Sequence, residues 1–90
     1  MEKSIISVLG KDKVGIIAKI CSYLAENDVN ILDISQTIVD GLFQMMMICD
    51  TDKCKKEFHT VAEELNCIGE EMGIQIKLQK EEIFEKMQRI

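Results

Sequence analysis

The dipeptide Asp40-Gly41 interrupts the run ILDISQTIVDGLFQMMMICD, which is otherwise dominated by apolar and β-branched residues. A two-residue hairpin turn needs positive φ at its central positions, and Asp-Gly supplies that at little steric cost. The run therefore predicts two antiparallel strands, residues 31–39 and 42–49. A lone hairpin is marginal in water, so the rest of the chain has to extend and cover it. Ile34, Gln36 and Ile38 alternate along the first of these strands, with Ile31 one residue out of phase. A bulge at Leu32-Asp33 would put both Ile31 and Ile34 on the core face. In the second strand, Met45 and Met47 face one side and Met46 the other.

The flanking segments supply the cover. Residues 4–9, SIISVL, are apolar and β-branched, and Gly10 closes this first strand. From Gly15 the period lengthens: Ile17, Ile20, Cys21 and Leu24 fall on one face of a helix that ends at Asn27, before an Asn/Asp turn. A second helix is predicted over residues 53–72. Phe58, Val61, Ala62, Leu65, Ile68 or Gly69, and Met72 form its apolar stripe, Thr51 or Asp52 its cap, and Gly73 its end. Residues 74–79, IQIKLQ, alternate as a strand. Residues 81–90 make a short C-terminal helix with Ile83, Phe84, Met87 and Ile90 on one face.

The order βαββαβ plus a C-terminal helix predicts an α+β, ferredoxin-like sandwich over residues 1–90 as a single domain. A four-stranded antiparallel sheet carries two helices on one face. Val39, Leu42, Met46 and Ile48 lie out of phase with the core set and give the other face an apolar patch. A second subunit or the C-terminal helix would cover that patch.

The chain has 90 residues, 47% apolar and 30% charged, which is the composition of a soluble globular protein. Its net charge of −5 and its single arginine, Arg89, leave no clustered basic surface for nucleic acid. No run is long enough for a membrane span, and MEKSIISV is no signal peptide. Cys21, Cys49, Cys54 and Cys67 form no CxxC pair and read as reduced thiols in a cytoplasmic protein, with Cys49 and Cys54 flanking one loop. The lone His59 falls on the wetter flank of the second helix. No set of acid, base and nucleophile, metal ligands or cofactor motif emerges, so an enzyme is not expected.

The loop GKDKVGI, residues 10–16, is the candidate site. Gly10 and Gly15 fit the start of a phosphate-binding loop, but Ile16 and Ile17 stand where Lys and Ser/Thr are required. Backbone recognition fits better. The first N–H groups of a helix are unpaired and attract an anion, and glycine lets a ligand approach closely. A carboxylate at Gly15 with an ammonium group at Asp12 would suit a free amino acid. Equally, Gly15 would permit a tight turn and Asp12 would cap the helix.

GKDKVGI, DVNILDISQT and FQMMMI together resemble the ACT domain family, in particular its stand-alone members. More distantly they resemble the ACT segments of formyltetrahydrofolate deformylases and of glycine-cleavage repressor-like regulators. The resemblance covers essentially the whole chain. It implies a regulatory module, commonly a dimer, that binds an amino acid at the subunit interface near the loop after strand 1 and the start of strand 2. The matching residues are Asp12, Val14, Gly15, Ile16, Asn30 and Ile31. Asn30 would lie beside the loop, either bonding loop or ligand or stabilising the turn. Many ACT loops carry Pro where this chain has Val14, which leaves this loop freer. The resemblance implies a homo-oligomer that acts through a protein partner the sequence does not name. It implies no cofactor or metal. The alternative is an assembly module that binds no small ligand.

Overall fold

The computed structural model describes residues 3–11 and 14–82. The elements run β1 (Lys3–Lys11), α1 (Ile16–Glu26), β2 (Asn30–Val39), β3 (Leu42–Asp50), α2 (Phe58–Met72) and β4 (Gln75–Lys80). The sheet order is β2-β3-β1-β4, with every neighbouring pair antiparallel. This is the ferredoxin-like α+β fold. The C-terminal helix expected over 81–90 falls mostly on residues 83–90, outside the described residues.

The hairpin forms at Asp40-Gly41, both at positive φ (53° and 76°). The β2–β3 register slips between Ile31 and Asp33, which makes Leu32 the extra residue of a bulge. Beyond it, Ile34 and Ile38 stand opposite Met47 and Phe43 on the helix-facing side, as alternation requires. They are nevertheless 43% and 57% exposed, because β2 is an edge strand that the helices do not cover. Only Ile31 packs against the core, half-buried.

Met45 and Met47 are buried and Met46 is exposed. They join Ile6 and Val8 of β1 and Ile76 of β4 under the helices. β1 continues through Gly10 to Lys11 instead of ending at the glycine. Gly10 is required by packing: a Cβ there would lie 2.5 Å from Ile74 Cγ2. The buried stripe of α1 is Ile16, Ile20 and Leu24, and Ile17 is turned outward. With isoleucine at both 16 and 17, periodicity alone left the phase open by one residue.

α2 starts at Phe58, five residues later than its sequence suggests. The segment 51–57 forms a turn closed by the Cys54 N–H donating to the Thr51 carbonyl at 3.0 Å, and the cap position is Glu57. The end of α2 is as expected. Gly73 adopts the left-handed conformation, and the Ile74 N–H reaches back to the Gly69 carbonyl at 2.8 Å. This bond pattern lets the chain leave the helix and enter β4 directly.

The close approach at Gly69 generates a test. A Cβ there would lie 2.8 Å from the Ile74 carbonyl oxygen. Alanine is the better helix former, yet Gly69→Ala is expected to destabilise by about 1–3 kcal/mol through overpacking against backbone. The readout is thermal unfolding, where each kcal/mol lowers the midpoint by roughly 4–8 °C in a domain this small.

Candidate functional site

Gly15 is the N-cap of α1 at φ 90°, and no side chain caps the helix there. A Cβ at Gly15 would meet nothing within 4 Å. Glycine is therefore needed for its backbone conformation, not to make room within the chain. Val14 beside it is fully exposed, an apolar side chain held out in solvent. Ile16 points the other way, is 2% exposed and belongs to the core. Its contribution to any site would come from its backbone. Asp12 lies outside the described residues.

Asn30 and Ile31 are elsewhere. Asn30 opens β2 opposite Asp50, which pairs in turn with Lys3 at the start of β1. The loop follows Lys11, at the far end of the same strand. At about 3.3 Å per residue, the nine residues of β1 separate the two places by roughly 26 Å. Within one chain, Asn30 does not lie beside the loop. It lines an open depression of about 430 Å³ with Asp28, Val29, Asp50 and Lys53. Asp28, at φ 58°, forms the turn that leads into the strand. The predicted βαββαβ order already implies this placement, because α1 carries the chain back and β2 runs parallel to β1, starting at the end opposite the loop.

A third cluster was not anticipated. The Tyr23 hydroxyl on α1 donates to Glu64 Oε1 on α2 at 2.6 Å, and Lys56 Nζ donates to the same oxygen at 2.7 Å. The Lys56 ammonium also stands 5.7 Å from the centre of the Tyr23 ring. Hydrogen bonds from Lys56 and Tyr23 hold the Glu64 carboxyl below its ordinary range, while burial and Glu64 push the Tyr23 hydroxyl well above its own. The group ties both helices to the loop between β3 and α2. It offers no nucleophile, and its carboxylate is already engaged twice.

All four cysteines are free thiols. Burial, with a smaller contribution from nearby Cys21, pushes Cys49 up to about 11. Among the described residues no group of three metal-ligating side chains converges, and no helix is long and apolar enough to cross a membrane.

Two tests follow. Gly15→Ala should cost about 1–2 kcal/mol through left-handed backbone strain alone, and Gly15→Asn less, both read by denaturant unfolding. Cys49 has a raised pKa in the folded state, so its contribution to stability is complete below the ordinary thiol value and is lost as the pH rises towards about 11. A thiol reagent at pH 8 should modify exposed Cys67 first and buried Cys49 only on unfolding.

The ACT domain profile matches residues 2–79. A UPF0237 protein of Bifidobacterium longum is 52% identical over 90 residues, the whole of both chains. Among solved structures, an ACT domain protein from Streptococcus pneumoniae superposes with a TM-score of 0.80 at 40% identity, covering 93% of this chain and 94% of that one. A formyltetrahydrofolate deformylase from Pseudomonas syringae superposes with a TM-score of 0.82 at 23% identity, covering 89% of this chain and 28% of that one, a likeness of fold alone. With its profile match spanning nearly the full length and a relative sharing half its residues end to end, this chain belongs to the ACT domain family.

Proposed function

We propose that this chain is a non-enzymatic regulatory module of the cytoplasm that dimerises, binds a free amino acid between two copies, and signals to a protein partner. Family membership makes a regulatory, ligand-binding role the leading reading. The observation that carries the detail is the separation of Gly15 from Asn30. Each is unsuited to enclose a ligand alone, and a second copy would bring them together.

The edge of the sheet supports this arrangement. β2 is a ten-residue edge strand whose outward backbone groups, on alternate residues, face no other strand among the described residues, with Ile34 and Ile38 exposed on one face and Val39 on the other. No lysine or proline blunts it, whereas β4, the opposite edge, carries Lys77 and Lys80. Sheets commonly protect their edges with such residues, and a long apolar edge invites another strand. Antiparallel pairing of two β2 strands about Gln36 would set Ile34 of each copy opposite Ile38 of the other. It would also carry Asn30 of one copy towards the loop end of the other. There the open N–H groups at the start of α1 would receive the carboxylate, and Asp12 the ammonium group.

Thermal unfolding in the presence of each common amino acid tests the reading. A ligand at 100 times its dissociation constant adds about 2.7 kcal/mol, a shift of roughly 11–22 °C at 4–8 °C per kcal/mol. Gly15→Val and Asn30→Ala should each abolish a selective shift, and Ile38→Asp should lower the mass seen by light scattering. A chain that shifts with no amino acid, while still associating, is the alternative assembly module.

A further inference from the structure

The depression beside Asn30 brings together polar side chains from three places in the chain. Asn30 and Asp50 are partners across the β2–β3 ladder, Asp28 forms the turn before β2, and Lys53 follows β3. With Val29 they line the hollow of about 430 Å³. Val29 itself is buried, so the wall is almost wholly polar. Asp50 Oδ1 accepts from the Asp52 N–H at 2.9 Å. Among the described residues, neither Asp28 nor Asp50 forms an ion pair with Lys53. Two acceptor-only carboxylates, a donor-only ammonium and a carboxamide therefore line one hollow without being spent on each other.

We propose that this hollow reads the side chain of the bound amino acid, and that the side chain it selects is a carboxamide, as in glutamine or asparagine. The inference rests on the reading above, in which Gly15 and Asp12 of one copy take the ligand's carboxylate and ammonium groups. The ligand's side chain is then left to the Asn30 end of the other copy. A carboxamide has two N–H donors and a carbonyl acceptor. The donors suit Asp28 and Asp50, and the carbonyl suits the Lys53 ammonium or the Asn30 amide. A carboxylate side chain brings no donor to the two acids and adds a third negative charge beside them. An ammonium side chain brings no acceptor and sets a second positive charge beside Lys53. An apolar side chain leaves all four groups without a partner, and a site built to hydrogen-bond its ligand discriminates against one that lacks the matching groups. Lys53 is thus a specificity-determining residue, since it is the hollow's only cation among the described residues.

Isothermal titration calorimetry of the full chain with each common amino acid tests it. Glutamine or asparagine should bind tightest, about tenfold more tightly than glutamate, lysine or leucine. Lys53→Glu makes every charge in the hollow negative, and lysine should then bind more tightly than glutamine. Circular dichroism checks that this variant folds, which its exposed position favours. Tightest binding of an amino acid without a carboxamide overturns this inference and leaves the amino-acid reading standing. So does a Lys53→Glu variant that keeps the parent's order of preference. Binding of no amino acid at all overturns both.

Discussion

The register between β1 and β3 is the constraint on which the rest of the structure depends. It sets Ile6 opposite Met47 and Val8 opposite Met45 on one face, and Ser7 opposite Met46 on the other. Because side chains alternate along a strand, a slip of one residue would exchange the two sets. Met46 would then be forced beneath the helices, and Met45 and Met47 into solvent. Three consecutive methionines do little to specify this register themselves, since each is equally apolar and adaptable. The Asp40-Gly41 turn pins β3 to β2, and Gly10 pins β1. Its missing side chain leaves the space that Ile74 fills where β4 begins. Turn and glycine together decide which methionine is core and which is surface.

The helices are fixed to this sheet by modest means. Neither has a side-chain cap at its start, and neither has an acid in its first turn. Their mutual attachment includes the Tyr23–Glu64–Lys56 group, where one carboxylate oxygen accepts from both helix α1 and the loop before α2. The ion pair is about 40% exposed on both sides, so most of its Coulomb attraction is screened. Its effect is to hold the 51–57 loop against the helices. The carboxylate has a lowered pKa, so this contribution is present at neutral pH and is lost as acid protonates Glu64.

Features governed by local chemistry were legible in the sequence. The hairpin, the bulge at Leu32, the left-handed Gly73 and the inward Met45 and Met47 each follow from two or three adjacent residues. What failed was decided by competition or at long range. Ile16 and Ile17 compete for the buried stripe of α1, and contact with the sheet decides in favour of Ile16. The run KCKK before α2 is compatible with a helix, but the turn between Thr51 and Cys54 takes its place. Ile34 and Ile38 alternate like core residues and are exposed because strand order puts β2 at the edge, and periodicity contains no strand order. The site is a different case, since the βαβ order itself fixes the end of the sheet at which β2 starts. Gly15 and its loop were found from residue chemistry, whereas the position of Asn30 depends on which way β2 runs past β1.

These placements bear on how such a module would signal. A ligand that touches residues of two copies binds the associated state and not the separated one. Its binding energy therefore becomes association energy, by the same linkage that lets any ligand stabilise the state it prefers. A ligand held wholly within one copy would bind both states alike and shift nothing. A chain with Gly15 and Asn30 at opposite ends of its sheet is suited to the first arrangement, because neither end can report occupancy alone. An exposed apolar edge then has a consistent role. On the proposed reading it would favour association, and a ligand contributing a few kcal/mol would decide how much of the protein is assembled.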